Sequence, residues 1–519
     1  MKKILFFHPA LFAAASILFL YAHNQEQLAA KSIILPLVFA LTAAAALFFL
    51  SRLIIRDSGK AALIVSLAVF LFFAYGWMYA PFESLAVNGF IIGRIRYFLP
   101  FYLGLFFVIS YFIFRTRREL EIVNKSVMIM AAALVFFALF DVAVFAWQHR
   151  GDGGNVSDKK TAAVTAENKN NIRPDVYYII LDAYANNETL KALFNYDNKE
   201  FTDSLKEIGF IVNDRSLTNY ARTYLSLSSS LNLKYLEIPT DAKAETVYLM
   251  LYRLIRDNEA TRFLRSQGYR YIHFSSGWDQ TDYNKLADAN VTCGKFNEFW
   301  TLIFRTTPLN ILDQKFHFVN TDTRARILCT FSSLAETAPA ASPKFIFAHI
   351  TSPHAPYVFG SDGEEAAASN EKNIAFGDNL DDKELYLGQL KYLNKLVLTA
   401  VDNILARSKQ KPIIIIQSDH GSASSIASSA GWENPTDVFL KERMRNFMAV
   451  YAPQTKEQAF SFGDVATPVN LFRLIFNYYF GAAYEILPEK NYYSTDSQPF
   501  NLIEVTDKVK IETLAETKK

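Results

Sequence analysis

The sequence predicts a two-part chain, with an α-helical domain of five membrane-spanning helices followed by an α/β domain that has a mostly parallel sheet between helices. Apolar residues are concentrated in long runs before about residue 148, and short β-rich runs alternate with amphipathic stretches after it. With 519 residues, 51% of them hydrophobic, the chain is too long for one domain and too apolar for an ordinary soluble enzyme. The predicted parts are a membrane domain (1–147), a polar linker (148–171), an exported α/β domain (172–506) and a charged tail (507–519).

Five apolar runs are each close to the roughly 20 residues of helix that a bilayer core requires. They are Ile4–Tyr21, Ser32–Leu50, Ala61–Ala80, Tyr97–Phe114 and Val127–Trp147. The basic pair before the first run is typical of a signal peptide, but the residues after Tyr21 form a weak cleavage site and four further runs follow. We therefore interpret the first run as an uncleaved helix.

The distribution of basic residues between the runs predicts the orientation. Ser51–Lys60 and Arg115–Lys125 are rich in lysine and arginine, whereas His23–Lys31 has one lysine. The positive-inside rule then places the amino terminus in the cytoplasm and everything after the fifth run outside the cell membrane, on its periplasmic or extracellular side. Arg94 and Arg96 disagree with this orientation because they fall on the outer side. A solvated, snorkelling pair is the favoured explanation, and contact with a phospholipid headgroup is the alternative.

The overall charge excludes one class of partner. The chain has 53 basic and 51 acidic residues, a formal net charge of +2, and no basic block of the kind that neutralises a phosphate backbone. We expect no nucleic-acid partner.

The two cysteines, Cys293 and Cys329, both lie in the exported part, where an oxidising compartment favours a structural disulfide over the alternative of free thiols.

Three predicted strands in the α/β domain end in polar residues. They are Val176–Leu181 before Asp182, Phe345–Ile350 before Thr351-Ser352-Pro353-His354, and Ile413–Gln417 before Ser418-Asp419-His420-Gly421. The amphipathic stretches between them are Asn198–Ile208, Ala260–Gln267 and Leu385–Ser408. Continuous apolar strands alternating with helices indicate a mostly parallel sheet, and such sheets bind ligands beyond the carboxyl ends of their strands. The polar residues after the strands are therefore expected at a binding site.

The stretch Ser216–Leu233 predicts a hydroxyl group at the start of a helix. Apolar residues follow Thr223 at helical intervals, which places Thr223 in the first turn, where unpaired backbone N–H groups attract an anion. A hydroxyl there can attack a phosphorus or sulfur ester. The alternative is that Thr223 or Thr218 merely caps a serine-rich helix.

Together these groups form a candidate metal site. Asp182, Asp419 and His420 offer two carboxylates and an imidazole, and the Thr223 hydroxyl completes four ligands suited to one divalent metal, zinc or manganese. Such a metal would lower the pKa of the hydroxyl and neutralise ester oxygens. Each residue alone has a structural explanation as a helix cap or a turn, but two strands ending in aspartate, one with a histidine directly after it, are more specific.

Four segments of the chain form a recognisable set: PDVYYIILDAY, NYARTYLSLSSSLN, FAHITSPHAPYVF and IIIIQSDHG. From about Pro174 to Tyr451 they resemble the alkaline phosphatase and sulfatase superfamily, nearest to its membrane-anchored branch, which includes lipoteichoic acid synthase and the phosphoethanolamine transferases. The five-span layout extends the resemblance to the amino terminus. The resemblance implies an alkaline-phosphatase-like catalytic domain. It implies these roles: metal ligands Asp182, Thr223, Asp419 and His420, nucleophile Thr223, and His354 as the histidine that contacts the phosphoryl group or protonates the leaving group.

Two departures from the superfamily narrow the chemistry. Neither cysteine lies in a Cys/Ser-x-Pro-x-Arg motif, which argues against formylglycine, and Asp182 is followed by Ala183 rather than a second aspartate, which argues against a two-metal phosphatase site. His349 is a candidate ligand of a second metal or a buried, hydrogen-bonded histidine. The weaker candidates for substrate binding are Asn219, Arg222, His349 and Trp278.

The expected function is a metal-dependent phospho-group transferase on the outer face of the membrane. It would move phosphoethanolamine or glycerol phosphate from a membrane phospholipid to an envelope glycan or lipid through its threonine nucleophile. The alternatives are a sulfatase-like or phosphodiester hydrolase of the same superfamily and a catalytically silent, membrane-anchored binding scaffold. The complete set of candidate ligands, nucleophile and histidine favours an enzyme, while the donor, the acceptor and the oligomeric state stay open.

Overall fold

The structure is a computed structural model that forms two compact units. It describes residues 6–26, 28–83, 85–87, 90–91, 94–148, 173–239, 242–366, 383–425, 430–454, 459–463 and 467–510. The first unit is the described part of Met1–Val156 together with Phe296–Val319, and the second is the described remainder of the chain. The predicted linker therefore lies outside the described residues except for Gln148. In the predicted tail, residues 511–519 lie outside them.

The first unit is helical. Its elements are α1 (His8–Ala22), a 3-10 turn (Ala30–Ile33), α2 (Ile34–Ile55), α3 (Ser58–Glu83), the short strands β1 (Ala86–Val87) and β2 (Phe90–Ile91), α4 (Ile95–Arg115) and α5 (Glu121–Gln148). Four of its helical segments are long and apolar enough to cross a bilayer, namely Ala30–Ile55, Ser58–Phe82, Ile95–Arg115 and Glu121–Gln148. These match the last four predicted spans.

The first predicted span is a shorter helix. Helix α1 has 15 residues, which at 1.5 Å per residue is shorter than a bilayer core of about 30 Å. It packs against α2, α3 and α5, and the buried His8 ring lies 2.6 Å from Ser66 Oγ of α3 and 2.9 Å from Asn124 Oδ1 of α5. Ile4, where the predicted span begins, lies outside the described residues, so a fifth crossing stays a prediction.

The second unit is an α/β domain. Its strands are β3 (Val176–Leu181), β4 (Phe210–Val212), β5 (Arg270–Phe274), β6 (Ala289–Val291), β7 (Lys344–Ile350), β8 (Ile413–Gln417), β9 (Met448–Tyr451), β10 (Tyr492–Tyr493) and β11 (Ile503–Glu504). Its helices are α6 (Asn187–Phe194), α7 (Lys199–Ile208), α8 (Thr223–Asn232), α9 (Ala244–Arg256), α10 (Glu259–Ser266), α11 (Asp279–Asp282), α14 (Phe318–Glu336), α15 (Lys383–Arg407), α16 (Ala430–Glu433), α17 (Asp437–Met444), α18 (Pro468–Phe480) and α19 (Thr506–Val509). Helix α14 begins in the first unit. Strands β10 and β11 pair with each other.

The main sheet has seven strands in the order β4-β9-β8-β3-β7-β5-β6. The neighbouring strands from β8 to β6 pair in parallel. At the other edge, β9 pairs antiparallel with both β8 and β4. Strand β3 is buried along its length, with Tyr177 and Ile179 in one hydrophobic core and Tyr178 and Ile180 in a second core on the opposite face. Helices therefore cover both faces, which explains the continuous apolar strands and confirms the predicted mostly parallel α/β domain.

One segment within the predicted α/β domain belongs to the first unit instead. Residues Phe296–Val319 contain α12 (Glu298–Thr306) and α13 (Leu309–Phe316), and they cluster with the apolar helices. A disulfide joins Cys293 to Cys329, with a Cα separation of 5.7 Å, so the expected disulfide is confirmed. It closes the loop that contains the segment.

Candidate metal centre and active site

The site lies at the carboxyl ends of three neighbouring strands, where backbone hydrogen bonds position its residues. Strand β3 lies between β7 and β8 in the sheet, so the residues that follow these strands meet at one edge. The Asp182 N–H donates to the Ile350 carbonyl (3.0 Å), and the His354 N–H donates to the Asp182 carbonyl (3.1 Å). These two bonds fix the Asp182 backbone against the loop that carries His354.

Ala183 has a backbone conformation that is unusual for a residue with a side chain. Its φ is +61°, in the left-handed region, which costs an L-residue roughly 1–2 kcal/mol. In this conformation the Ala183 N–H donates to Asp419 Oδ1 (3.1 Å) and so joins the two aspartates that follow β3 and β8. Local strain of this kind is common at functional sites, where the surrounding structure holds it.

The hydrogen bond of the His420 ring shows which of its two nitrogens faces the site. Nδ1 lies 3.0 Å from the Gly421 carbonyl, which can only accept, so Nδ1 carries the proton and the lone pair is on Nε2. This Nε2 lies 3.0 Å from Asp419 Oδ2, 3.1 Å from Thr223 Oγ1 and 3.8 Å from Asp182 Oδ1. The four predicted ligands therefore converge on one point.

The same residues fit a divalent metal. The ligand atoms of Asp182, Asp419 and His420 lie within 4.8 Å of one another, and all three residues are buried. Asp182 Oδ1 and Asp419 Oδ2 are buried and have no hydrogen-bond partner within the described part of the chain. Unpaired buried carboxylate oxygens are costly, and a bound cation would satisfy them. Two carboxylates, an imidazole and a hydroxyl are a donor set suited to zinc or manganese.

The histidines around Asp182 favour its charged form. Burial tends to raise the pKa of the Asp182 carboxyl, but the electrostatic effects of His354, His349 and His420, with a hydrogen bond from His349, outweigh it and lower this pKa below its usual value. An ionised carboxylate is the form that ligates a metal.

Thr223 is the first residue of α8, and it does not cap the helix. The N-cap is Arg222, whose side chain makes no capping hydrogen bond, while the Thr223 hydroxyl faces His420. Thr218 does not cap α8 either, because its hydroxyl donates to the Asp419 carbonyl (2.5 Å). The structure thus places the Thr223 hydroxyl at the site, beside the start of a helix.

Sequence reasoning missed the residues that hold the Asp419 backbone. The Ser226 hydroxyl donates to the Asp419 carbonyl (2.7 Å), as Thr218 does, and the two hydroxyls lie 3.2 Å apart. Ser226 is one turn after Thr223 on α8, so this contact fixes the distance between the hydroxyl-bearing helix and the strand that carries Asp419. The three-residue spacing between Thr223 and Ser226, which places both side chains on one face of a helix, could have indicated this role from the sequence.

Arg443 of α17 adds a cation that the sequence analysis did not identify. Its Nη2 lies 3.0 Å from His420 Nε2, its Nε donates to the Ala221 carbonyl (2.8 Å), and its guanidinium carbon lies 5.0 Å from the centre of the Trp432 ring. Arg222 lies over the same ring at 4.8 Å. The site therefore has positive charge beside the imidazole, which suits an anionic ester.

The neighbouring Glu442 organises the loop after His420. Its buried carboxylate accepts from the Ser422 hydroxyl (2.6 Å), from the Ser424 N–H (2.6 Å) and hydroxyl (2.8 Å), and from the Ser425 N–H (2.9 Å) and hydroxyl. The described residues of this loop form no helix or strand, and the five hydrogen bonds to one carboxylate hold them in place instead. No spacing in the sequence links Glu442 to the serines.

The two other histidines near the site occupy different environments. His354 is half-buried, and its Nδ1 donates to the Ala355 carbonyl (2.7 Å), which leaves the lone pair of a neutral ring on Nε2. His349 is buried, with Nδ1 2.8 Å from the Thr281 hydroxyl and Nε2 3.4 Å from Asp182 Oδ2. His349 thus has the buried, hydrogen-bonded position named as its alternative, while contacting a predicted metal ligand.

The weaker candidates have mainly structural contacts. The Asn219 amide donates to the Lys490 carbonyl (2.9 Å) and accepts from the Val469 N–H (2.9 Å), so it ties three segments together. The Arg222 guanidinium pairs with Asp496 (2.7 Å). Trp278 packs edge-on against His349 with ring centres 5.5 Å apart. Substrate binding by these residues stays a prediction.

A mostly parallel α/β domain with this donor set at the carboxyl ends of its strands forms a candidate divalent-metal site. No protein-family model matches the sequence, and no curated protein matches it. Several solved structures are similar in fold. The C-terminal periplasmic domain of EcEptC from Escherichia coli, in complex with Zn, is 12% identical over 65% of this chain and 94% of that chain, with a TM-score of 0.44.

Two further solved structures are similar to this chain. The lipooligosaccharide phosphoethanolamine transferase A (EptA) of Neisseria meningitidis, an integral membrane protein, is 12% identical over 92% of this chain and 95% of its own, with a TM-score of 0.36. The lipoteichoic acid synthase LtaP of Listeria monocytogenes is 11% identical over 62% and 78%, also with a TM-score of 0.36.

Proposed function

We propose that this protein is a metal-dependent phospho-group transferase of the cell membrane, with its α/β domain on the outer side. The donor is a membrane phospholipid that carries phosphoethanolamine or glycerol phosphate, and the acceptor is a hydroxyl of an envelope glycan or lipid. The observation that supports this proposal most directly is the position of Thr223. Its hydroxyl lies at the start of a helix, 3.1 Å from His420 Nε2 and beside two aspartates, each with an oxygen that has no hydrogen-bond partner among the described residues.

The residues that would hold the metal are Asp182, Thr223, Asp419 and His420. When bound, a divalent metal supplies positive charge that lowers the pKa of the hydroxyl and neutralises the ester oxygens. The protein contributes a fixed geometry, because Ala183, Thr218 and Ser226 hold the Asp419 side chain and backbone in place. The start of α8 offers N–H groups to a negatively charged product.

The reaction proceeds in two displacements at phosphorus. The Thr223 hydroxyl, its pKa lowered by a bound metal, would lose its proton to solvent, so that Thr223 would react as its alkoxide. In the first displacement this Oγ forms a bond to the phosphorus of the phosphodiester, and the bond from phosphorus to the diacylglycerol oxygen breaks. In the second, an acceptor hydroxyl attacks the same phosphorus, the bond from phosphorus to Thr223 Oγ breaks, and Thr223 leaves as the alkoxide that began the first displacement. Phosphorus is preferred to sulfur because a threonine ester of phosphate can form and be released, whereas the sulfatase route requires formylglycine, and neither cysteine is free to become one.

His354 is the proton carrier in this proposal. In its protonated form the ring gives its Nε2 proton to the departing alkoxide in the first displacement, and the neutral ring that remains takes a proton from the acceptor hydroxyl in the second, which restores the protonated form. The Ala355 carbonyl orients the ring through Nδ1, and the His354 backbone is bonded to Asp182. These contacts therefore hold the His354 ring at a fixed position relative to the proposed metal ligand Asp182.

The covalent step gives the decisive experiment. The full-length protein, incubated with phospholipid in detergent, should carry a phospho-group adduct on Thr223, and mass spectrometry of the modified peptide would identify the group. Thr223→Ala should abolish diacylglycerol release while metal remains partly bound, Thr223→Ser should retain part of the activity, and Thr399→Ala on the surface of α15 should match the wild type.

Two outcomes separate this proposal from its alternatives. Wild-type release of diacylglycerol by Thr223→Ala would rule out the covalent mechanism. Cleavage of aryl sulfates much faster than phosphodiesters would favour the sulfatase-like hydrolase instead. If the wild type turns over neither ester, the protein is the silent scaffold.

A further inference from the structure

The segment 296–319 leaves the α/β domain and returns to it at a closed base. The disulfide between Cys293 and Cys329 joins the chain on either side of the segment. Just inside it, the Lys295 N–H donates to Asp322 (2.7 Å), and Arg326 bonds both Asp322 (2.8 Å) and the Cys293 carbonyl (3.1 Å). Gly277 and Gly294 leave room for Arg326, because a Cβ at either would lie within 2.5 Å of its guanidinium.

Beyond this base, α12 is packed into the bundle of apolar helices. Phe299 and Ile303 are buried in the same hydrophobic core as Phe12 of α1 and Val65 of α3. A Cβ added to Gly76 of α3 would lie 2.6 Å from the Thr306 carbonyl oxygen, so α3 and the end of α12 touch backbone to backbone. The glycine makes this contact possible.

The contacts also locate the segment along the bundle. Trp300 packs edge-on against Phe39, which lies in the second turn of α2, with ring centres 5.9 Å apart. Gly76 lies seven residues before Glu83, the end of α3, or about 10 Å at 1.5 Å per residue. Because α2 and α3 are joined by a short connection and run antiparallel, the start of α2 and the end of α3 are at the same end of the bundle. The segment lies at that end.

Helix α13 presents an apolar surface that the described residues leave exposed. None of its residues is buried, and Leu312, Phe316 and the following Phe318 are 46%, 53% and 43% exposed. Lys315 lies beside them with its ammonium group 5.5 Å from the centre of the Phe316 ring. At the same end of the bundle, Trp77 of α3 is also 58% exposed.

We infer that the apolar surface of Leu312, Phe316 and Phe318 is a lipid-binding surface that rests in the headgroup region of the bilayer. The choice of lipid rests on position, because ring contacts lead from Phe39 of α2 through Trp300, Phe296 and Phe304 to Phe318. Aromatic side chains and lysine are favoured near the ends of spanning helices. An acidic headgroup phosphate would complement Lys315.

Quenching by lipids tests this inference in the full-length protein. Both native cysteines are in the disulfide, so Phe316→Cys introduces a single thiol for an environment-sensitive fluorophore. The labelled protein is placed in nanodiscs of phosphatidylglycerol and phosphatidylcholine, with or without lipids that carry a spin label near the headgroup. Leu312→Cys is the second test position. Trp77→Cys is the lipid-exposed reference, and Ile503→Cys is the matched control at an exposed apolar residue of the α/β domain.

The expected result is loss of fluorescence at residues 316 and 312 as large as the loss at residue 77, with none at residue 503. Loss no greater than that at residue 503 would overturn the inference. A blue-shifted emission without quenching would also overturn it, because the surface would then be covered by protein, such as a second copy of the chain. If labelling at residue 316 prevents the protein from folding, quenching of the labelled Leu312→Cys protein tests the inference.

Discussion

Replacing Glu442 with glutamine should loosen the loop that follows His420. The glutamate carboxylate accepts five hydrogen bonds, two of them from the backbone N–H groups of Ser424 and Ser425. These two N–H groups approach different carboxylate oxygens. A glutamine of the same shape has one oxygen and one NH₂ group, so in either orientation one backbone N–H faces another donor.

The magnitude follows from the bonds that are lost. One buried, unsatisfied N–H costs about 1–3 kcal/mol, and the remaining bonds lose the extra strength that the charge provides, so we expect the loop to be destabilised by about 2–3 kcal/mol. At 1.4 kcal/mol per factor of ten, its opening should become about 30- to 140-fold more frequent. Ser422→Ala removes a single bond and should change opening by about fivefold, corresponding to about 1 kcal/mol.

Hydrogen–deuterium exchange of the peptide 418–425 in the full-length protein measures this opening directly. The matched control is Glu384→Gln in the first turn of α15, where the glutamate is exposed and the exchange of the loop should not change. Exchange in Glu442→Gln that is no faster than in Ser422→Ala would refute the reasoning, because the charge would then not organise the loop.

Three further outcomes are expected. Asp182→Asn should lower the metal content per chain measured by mass spectrometry of the element, whereas Asp214→Asn, at an exposed position, should leave it unchanged. Arg443→Lys keeps the charge but cannot reproduce the planar set of bonds, so kcat/KM should fall about tenfold at normal metal content, the effect of losing about 1.4 kcal/mol. For the orientation, cysteine at Asn501 should react with an impermeant thiol reagent in intact cells and cysteine at Glu119 should not. Reversed labelling would place the α/β domain inside.

Much of the fold was predictable because its signals are local. The strand Val176–Leu181 is predicted with the bounds that the structure shows, since a strand buried on both faces is a continuous apolar run. The convergence of Asp182, Asp419 and His420 followed from a general property of parallel sheets. The later four spans were predictable from length and hydropathy alone.

The remainder depends on contacts between residues far apart in the chain. Arg443 reaches His420 across 23 positions, and nothing in the serine-rich loop indicates that Glu442 binds it. Likewise, α12 has the composition of an ordinary amphipathic helix, so its burial among the apolar helices appears only once the chain is folded. Sequence periodicity identifies an apolar face, but not the surface that it covers.

The membership of residues 296–319 in the helical unit affects how the α/β domain can be produced alone. The chain passes between the two units three times, at the linker and at both ends of this segment, so a cut in the linker separates only one of the three connections. A truncated protein that begins after the linker would still contain α12, with Phe299 and Ile303 exposed to water. Production of a well-behaved soluble fragment would therefore require a second edit that replaces the segment with a short polar turn between the disulfide-bonded cysteines.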